Sequence, residues 1–194
     1  GGLSRKYEVL SEEVSEEQNI KAMNSPRPIW VVCPLDGTRT YLNPKECHNE
    51  FAINVALLSA PDSMGNRTPI FGAVYFPKLN KLYYTGTDGK SWLETSAGGV
   101  QQKRPLSLPA QPIGTRNLRV AVGYSDRETG MFGNHPIETE PHTGGYRTMT
   151  AAQGLTDVAV FGRPCSIWDT AALDAIAART RVVLTTAWPF ALYG

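Results

Sequence analysis

Cysteine, long apolar runs and net charge are all scarce in this sequence, and each shortage argues against a class of protein. The three cysteines, Cys33, Cys47 and Cys165, are an odd number without the spacing of a disulfide framework. They favour reduced thiols and a cytoplasmic protein. No apolar stretch approaches the roughly 20 residues of a membrane-spanning helix. A net charge of +1 provides no general attraction to nucleic acid polymers or membranes, although a small anionic ligand needs only a local basic patch.

The composition is that of a globular protein, with 41% hydrophobic and 19% charged residues. A chain of 194 residues can bury one sizeable core, or two lobes that share one. We predict an α/β fold of the layered α-β-α-β type, with an antiparallel sheet lobe and a smaller mixed-sheet lobe that carries helices. The stretch 98–114, rich in Gly, Gln and Pro, is the predicted boundary between a sheet lobe, 1–114, and the smaller lobe, 115–194.

Apolar runs separated by turn residues predict an antiparallel meander in the first lobe. Its strands are 51–59, 70–76, 81–87 and one that starts at Ser91, and the run 29–32 predicts a buried strand before them. In the second lobe, apolar runs predict strands, and apolar positions at helical spacing, together with Gly stop signals, predict helices. The predicted strands are 118–123, 157–161 and 181–185, and the predicted helices are 144–153 and 168–178.

The strand 29–32 is followed by the most informative segment, 33–38, which reads Cys-Pro-Leu-Asp-Gly-Thr. A proline, a carboxylate, a glycine and a hydroxyl at the end of a buried strand place polar groups at the rim of a sheet. Asp36 could hold a cation, while Gly37 and Thr38 could hold an anion. An ordinary polar turn is the alternative. The polar stretch 39–50 is predicted to be a loop long enough to cover a site.

Segment 33–38 resembles the Asp-Pro-Ile/Leu-Asp-Gly-Thr signature of the magnesium-dependent, lithium-sensitive phosphatases, the inositol monophosphatase-like superfamily. Two further motifs of that superfamily have counterparts in the same order. Segment 10–13, Leu-Ser-Glu-Glu, is similar to its glutamate-pair motif, and 168–172, Trp-Asp-Thr-Ala-Ala, to its Trp-Asp-x-Ala-Ala signature. Segments 49–57 and 72–77 are most similar to the 3'(2'),5'-bisphosphate nucleotidases within it.

The resemblance implies a phosphatase that acts on a small phosphorylated metabolite with two or three Mg²⁺ ions. A bisphosphate nucleotide is favoured over an inositol or sugar phosphate. The superfamily often forms dimers, so a homodimer is expected, and a helical pair that normally precedes the glutamate motif is not found here. The tail 188–193 resembles a family segment near the substrate. The implied metal ligands are Glu12, the residue at position 33, the Leu35 carbonyl, Asp36 and Asp169; the implied catalytic residues are Thr38, Glu12 and Asp36; the implied substrate contacts are Gly37, Thr38, Gly145, Arg147 and Asp169.

Several of these residues also have simpler interpretations. Glu12 could belong to a solvated acidic run or to the first turn of a helix, and Asp169 could be a helix cap. Arg147, which replaces a substrate-contacting lysine of the nucleotidases, could lie on a helix surface. The grouping of Cys33, Cys47 and His48 matches no standard zinc pattern, so His48 is predicted to be structural or to face solvent. His135 and His142 lie beside prolines in a loop-like stretch and are predicted to lie at the surface.

Cys33 departs from the superfamily, which has an aspartate that bridges two metal ions at this position. Mg²⁺ prefers oxygen ligands, whereas a thiolate is a soft ligand suited to zinc or copper. We therefore expect strongly reduced magnesium-dependent activity. An engineered change, a degenerate member and a site tuned to a softer metal are all compatible with Cys33. The alternative function is a catalytically weak protein of the same fold that binds a phosphorylated ligand or a partner.

Overall fold

A seven-stranded sheet, whose strands follow one another in chain order, forms the centre of the fold. The computed structural model describes residues 7–43, 48–108, 119–124, 131–132, 135–136, 142–161 and 164–184. β1 and β2 are parallel, and each later strand is antiparallel to the one before it. The strands are β1 (Val9–Ser11), β2 (Ile29–Asp36), β3 (Ala52–Leu58), β4 (Pro69–Phe76), β5 (Lys81–Thr85), β6 (Ser91–Ala97) and β7 (Val100–Pro105).

Alternating burial along β2 and β3 shows which face of the sheet meets the core. Ile29, Val31 and Cys33 are buried on β2, and Cys33 lies opposite the buried Asn54 of β3. Since side chains on a strand alternate between its two faces, these residues share one face. The β2–β3 register shifts between Cys33 and Asp36, at the exposed Pro34, which cannot donate a ladder hydrogen bond. This irregularity turns the end of β2 away from regular pairing.

Four α-helices are present in the described part of the chain. Ser15 and Gln18 form a reciprocal capping box at the start of the first helix, with Ser15 N 3.2 Å from Gln18 Oε1. The helices are α1 (Glu16–Met23), α2 (Thr38–Leu42), α3 (Gly144–Ala152) and α4 (Ile167–Ala178). A 3₁₀ turn, Pro77–Leu79, joins β4 to β5. None of the described helices has the length and apolarity that crossing a membrane requires.

Helix α4 packs across β2, β3 and β4 on the buried face of the sheet. Its contact side is built of small residues, including Ala172 and Ala175, which are buried. A Cβ atom at Gly72 of β4 would lie 2.5 Å from the Ala172 carbonyl oxygen and 2.8 Å from the Ala175 Cβ. The absence of a side chain at Gly72 therefore allows the close approach that places the start of α4 near the end of β2.

Four short strands complete the described elements. β8 (Val120–Ala121) pairs in parallel with β11 (Val158–Ala159), and β9 (Met131–Phe132) pairs antiparallel with β10 (His135–Pro136). The α/β class, the antiparallel meander and the two later helices are as the sequence predicts. The strands predicted at 118–123 and 157–161 contain only the two-residue β8 and β11, because only these residues pair.

Two predictions from the sequence, the loop 39–50 and the strand 181–185, are wrong in the described residues. The stretch 39–50, predicted as a loop, begins with α2, because the residues after Gly37 continue into a helical turn. The first residues of the predicted boundary 98–114 form a hairpin, since Gly98 and Gly99, at φ +57° and +79°, turn the chain from β6 into β7; the boundary itself stays a prediction. Residues 181–184 form no strand, and Arg181 adopts a left-handed φ of +66° that is incompatible with extended pairing.

Some predictions fall outside the described residues. These are the division between lobes at 114, the tail 188–193 and the environment of Cys47.

Candidate active site

Two carboxylates and one thiol from distant parts of the chain meet near the end of β2. The Cys33 side chain is 1% exposed, and its Sγ lies 3.6 Å from Glu12 Oε1 and 3.9 Å from Asp169 Oδ1. Glu12 is 21 and Asp169 is 136 positions away from Cys33 in the sequence. The fold therefore brings together three of the residues that the sequence motifs single out.

Each of these residues is placed by the end of a regular element. Glu12 directly follows β1, whose last residue, Ser11, lies opposite Val32 of the parallel strand β2. Asp169 lies in the first turn of α4, where its Oδ2 accepts a hydrogen bond from Ser166 N at 2.9 Å. Asp169 is thus a helix cap, as the simpler interpretation has it, and its other oxygen faces Cys33.

Asp36, the last residue of β2, lies against the first turn of α3. The Gly145 backbone amide donates a hydrogen bond to its carboxylate. A Cβ atom at position 145 would lie 2.8 Å from Asp36 Oδ2, so only glycine fits here without a shift. The structure therefore joins Asp36 and Gly145, two further residues of the predicted site.

Negative groups outnumber positive ones in the described surroundings of this cluster, although Arg147 offsets part of the charge. Burial, followed by the negative charge of Asp169, raises the pKa of Asp36 to about 6, although Asn54, Arg147 and the Gly145 amide oppose the rise. Burial also raises the pKa of Asp169. Burial, followed by the three neighbouring carboxylates, raises the pKa of the Cys33 thiol well above its usual range. A site with this excess of negative charge attracts a cation.

Asn54 is a buried polar residue beside the cluster. Its side chain is 1% exposed, and neither side-chain polar atom makes a hydrogen bond of regular geometry with any described residue. Its amide is close enough to Asp36 to lower the pKa of that carboxyl. Asn54 therefore belongs to the site as a polar neighbour that favours the ionised form of Asp36. Sequence reasoning missed it, since an Asn in an apolar strand carries no positional signal.

The turn after Asp36 has the geometry expected of an anion-binding turn. Gly37 adopts a left-handed φ of +80° and is the N-cap of α2. Thr38 is exposed and opens that helix, whose first intrahelical hydrogen bond runs from Thr40 N to the Gly37 carbonyl at 2.9 Å, so the amides of Thr38 and Arg39 precede it. Its Oγ1 donates a hydrogen bond to the Leu35 carbonyl oxygen at 3.4 Å. The Leu35 backbone amide points toward the Cys33 thiol.

Arg147 does not lie on the helix surface, so that simpler interpretation is wrong. The residue is 6% exposed, and its guanidinium carbon lies 5.0 Å from the centre of the Phe161 ring. One guanidinium nitrogen donates a hydrogen bond to the His142 carbonyl oxygen at 2.6 Å. The positive charge of Arg147 lowers the pKa of Asp36, which places it within electrostatic reach of the cluster.

The prediction that His142 lies at the surface is also wrong. Its side chain is 18% exposed, and its Nδ1 lies 2.5 Å from Oε1 of Glu50, which is itself 2% exposed. The other carboxylate oxygen of Glu50 accepts a hydrogen bond from Thr143 N at 3.0 Å. Thr143 is the N-cap of α3, so Glu50 holds the start of the helix that carries Gly145. His48 is exposed, as predicted.

The donor atoms fit a divalent cation only in part. The carboxylates of Glu12, Asp36 and Asp169 are the hard oxygen ligands that Mg²⁺ prefers. The thiol of Cys33 is not. Among the described residues, no three His, Cys, Asp or Glu side chains already surround one point closely enough to hold an ion. Glu12 is exposed, so its side chain is able to move toward one.

Comparisons with known proteins identify relatives over most of the chain. Residues 3–180 match the model of the inositol monophosphatase family. Over 153 residues, the chain is 29% identical to the 3'(2'),5'-bisphosphate nucleotidase CysQ of Escherichia coli K12. This match covers 77% of the present chain and 55% of the relative. It is 35% identical over 78 residues to a fructose-1,6-bisphosphatase/inositol-1-monophosphatase of Aquifex aeolicus, over 40% of this chain and 24% of the relative.

Solved structures show the same fold. The crystal structure of CysQ from Bacteroides thetaiotaomicron superimposes with a TM-score of 0.68 at 23% identity, over 90% of this chain and 66% of that one. The present chain spans about half the length of the curated nucleotidases that it matches.

Proposed function

The chain belongs to the inositol monophosphatase family, and from this premise we propose that it is a metal-dependent phosphatase of a small phosphate monoester. The substrate class that we favour is a 3'(2'),5'-bisphosphate nucleotide. The observation that carries the proposal is the convergence of Glu12 and Asp169 on Cys33, with Sγ–O distances of 3.6 and 3.9 Å, next to the half-buried carboxylate of Asp36. An electronegative cluster beside an anion-binding turn suits a cation that receives a phosphate.

The carboxylates of Glu12, Asp36 and Asp169 would hold the cation, with the Leu35 carbonyl and position 33 as further ligands that the family resemblance implies. When bound, a divalent cation neutralises phosphate charge, lowers the pKa of a coordinated water and stabilises the leaving oxygen. The protein itself would contribute by holding these ligands in fixed positions. The three carboxylates come from the ends of β1 and β2 and from the start of α4, so each is anchored by a regular element.

The turn at Gly37 and Thr38 would bind the phosphoryl oxygens. The amides of Thr38 and Arg39 precede the first intrahelical hydrogen bond of α2, from Thr40 N to the Gly37 carbonyl at 2.9 Å, and Gly37 leaves room for close approach. Thr38 Oγ1, which donates to the Leu35 carbonyl at 3.4 Å, would orient the attacking water. Preorganised donors of this kind stabilise charge that develops in a transition state.

The second half of the chain would contact the rest of the substrate. Gly145 lies against Asp36, and the buried Arg147 on the same helix could pair with a second phosphate in a bidentate manner. A substrate with two phosphates would use both the turn and Arg147. The match to curated bisphosphate nucleotidases over 77% of this chain supports the same substrate class over an inositol or sugar phosphate.

Cys33 supports a second candidate function, a phosphatase-fold protein that binds a phosphorylated ligand with little catalysis. The pKa of this buried thiol is raised by burial and by its acidic neighbours, so it is neutral at neutral pH. A neutral thiol lacks the negative charge with which a carboxylate would bridge two dications. The two candidates differ in turnover and not in binding.

Phosphate release separates the two functions. We would measure it with Mg²⁺ from adenosine 3',5'-bisphosphate and from an inositol phosphate, for the unchanged sequence, for Cys33→Asp, and for Asp62→Asn as a control at an exposed turn. Release that is weak in the natural sequence and increases in Cys33→Asp supports a phosphatase impaired by Cys33. If no variant releases phosphate while the nucleotide still binds, the binding function is favoured and the phosphatase proposal fails.

A further inference from the structure

The imidazole ring of His142 is bound through one nitrogen and open at the other. Its Nδ1 lies 2.5 Å from Oε1 of Glu50, whereas its Nε2 makes no hydrogen bond with any residue that the structure describes. The side chain is 18% exposed, so the ring is not sealed off from solvent. The ring is therefore held in place and keeps one hydrogen-bonding nitrogen for a ligand.

Glu50 is placed to orient this ring. Its side chain is 2% exposed, and its second oxygen accepts a hydrogen bond from Thr143 N at 3.0 Å and lies 3.5 Å from the Tyr124 hydroxyl. A buried carboxylate needs such donors, because an unpaired buried charge is costly. With Glu50 as the acceptor for Nδ1–H, the tautomer of the ring is set and Nε2 is left for another partner.

The pair lies beside the turn that is proposed to bind phosphoryl oxygens. A Cβ atom at Gly37 would lie 3.1 Å from Thr143 Cγ2 and 3.5 Å from the Phe51 Cα atom. Thr143 directly follows His142, and Phe51 directly follows Glu50. Both chain segments that carry the pair therefore border the same turn.

The other charged and aromatic groups around the ring favour an anion. The rings of His48 and Tyr146 lie 5.9 and 5.0 Å from that of His142, between ring centres. The Arg147 guanidinium donates a hydrogen bond to the His142 carbonyl oxygen at 2.6 Å, and Lys81 Nζ lies 3.0 Å from the Tyr146 hydroxyl. This side of the site is thus richer in cations than the acidic cluster at the end of β2, as the binding of phosphate requires.

We propose that His142 is a substrate-contacting residue, whose Nδ1 donates to Glu50 and whose Nε2 donates to an oxygen of the phosphoryl group at the Gly37–Thr38 turn. This rests on the proposed function and adds a residue to the same site. An imidazole ring that carries both protons donates on both sides. The second proton is taken from solvent when the free ring is neutral, and the carboxylate of Glu50 offsets the positive charge.

Asparagine and glutamine at position 142 separate the two nitrogens of the ring. The amide nitrogen of Asn can replace Nδ1 and keep the bond to Glu50, whereas that of Gln reaches the place of Nε2 and gives up Glu50. We expect His142→Asn to bind inorganic phosphate about 10- to 100-fold more weakly, as the loss of one charge-assisted hydrogen bond predicts, with a near-normal melting temperature. His142→Gln should keep more of the affinity and lose more stability.

Calorimetry with inorganic phosphate and Mg²⁺ measures these affinities, and thermal melts measure stability. Each substitution is made in the unchanged sequence and in Cys33→Asp. His48→Asn is the matched control, because this neighbouring histidine is exposed and has no place in the proposed contact. We expect it to bind phosphate as the unchanged sequence does.

Nitrogen-15 NMR of labelled imidazole rings reports the contact directly. The chain has three histidines, and the signals of His142 are those that disappear in His142→Asn. Added phosphate should shift the Nε2 signal of His142. Hydrogen exchange at the amides of residues 143–147 should stay unchanged in His142→Asn, which a purely structural role of the ring would not allow.

Three results overturn the proposal: an Nε2 signal that phosphate does not move, phosphate affinity that is unchanged in His142→Asn, or an equal loss in His48→Asn. Absence of phosphate binding in both backgrounds also overturns it. Phosphate release by Cys33→Asp would still leave the proposed function intact in each of these cases. If the Nε2 signal shifts and His142→Asn loses affinity while no variant releases phosphate, His142 binds the anion and the phosphatase proposal fails.

Discussion

Oε1 of Glu50 and Nδ1 of His142 lie 2.5 Å apart, although 92 positions separate the two residues. The second oxygen of Glu50 accepts from the backbone amide of Thr143 at 3.0 Å, and its carbonyl accepts from the Thr143 hydroxyl at 3.1 Å. Thr143 is the N-cap of α3. Its Cγ2 atom also lies near Gly37, at 3.1 Å from the position that a Cβ atom would take there. Glu50 therefore ties the start of α3 to the turn that follows β2.

Replacement of Glu50 should destabilise the protein and loosen the start of α3. Glu50→Ala leaves the Thr143 amide and His142 without their buried acceptor, and we expect a loss of about 2–4 kcal/mol in the free energy of unfolding. Glu50→Gln keeps an acceptor for Thr143 and should lose less. Urea unfolding measures both changes, and hydrogen exchange reports the amides of residues 143–147.

Glu94→Gln is the matched control for Glu50. Glu94 lies on β6 in a partly exposed ion pair with Lys103 at 3.6 Å, and such pairs contribute about 0–1 kcal/mol. If Glu50→Ala costs no more than Glu94→Gln, or leaves exchange at 143–147 unchanged, the assignment of Glu50 as a positioning residue is wrong.

Stability of the metal-free protein should fall as the pH rises from about 4 to about 6. The pKa of Asp36 is about 6 in the folded state and 3.8 when unperturbed, so in this window the folded protein binds more protons than the unfolded chain. The contribution is fully present below the unfolded pKa and is lost as the pH passes the folded pKa. A shift of this size corresponds to about 3 kcal/mol, and the raised pKa of Asp169 acts in the same direction.

Asp36→Asn should remove most of this pH dependence. With a chelator present, we expect the variant to be more stable than the natural sequence at pH 7 and close to it at pH 4, as measured by denaturant titration across the window. Asp62→Asn is the control, because Asp62 is an exposed turn residue whose pKa is lowered by backbone amides. If Asp36→Asn and Asp62→Asn give the same pH profile, the buried charge at position 36 has been misassigned.

Gly145→Ala should damage the site more than the fold. A Cβ there would lie 2.8 Å from Asp36 Oδ2, so the carboxylate or the helix must move. Alanine in place of a helical glycine otherwise gains about 0.5–1 kcal/mol, which offsets part of the cost in stability. We expect a near-normal melting temperature with weaker nucleotide and metal binding, measured by calorimetry.

Gly144→Ala separates this effect from helix propensity. A Cβ atom at position 144 would lie 2.8 Å from Cε1 of the Phe161 ring. Gly144→Ala therefore displaces an aromatic ring, whereas Gly145→Ala displaces the carboxylate of Asp36. Binding in Gly144→Ala should stay closer to the natural value. Equal losses in the two variants would show that Gly145 has no special relation to Asp36.

Gly72→Ala should push α4 away from the sheet. The added Cβ would overlap the Ala172 carbonyl and the Ala175 Cβ, at 2.5 and 2.8 Å, and overpacking of this kind typically costs 1–3 kcal/mol. Because Asp169 lies at the start of α4, metal affinity should also fall. Gly65→Ala is the control: its left-handed φ of +86° adds strain of about 1 kcal/mol, but nothing lies within 4 Å of the new Cβ. A control that lowers metal affinity equally would contradict this account.

Much of the fold could be predicted because it depends on local pattern. Strands β3 to β6 alternate or are continuously apolar between clear turn signals, and α4 begins and ends where its apolar period does. The hairpin between β6 and β7 was missed because β7 is entirely exposed, so its sequence shows no apolar alternation. The strand predicted at 181–185 failed because an apolar run alone does not provide a partner for pairing.

The sequence by itself determined the α/β class, the order of the meander, the polar turn after β2 and the three motifs that name the family. These features are carried by residue types at short spacing, which act on the backbone locally. Only the tertiary structure decided that Cys33 contacts both Glu12 and Asp169, that Arg147 is buried, and that Asn54 and Glu50 belong to the surroundings of the site. The physical reason is that burial and electrostatic coupling depend on which distant elements pack together, and no local pattern around position 33 specifies what lies 136 residues away.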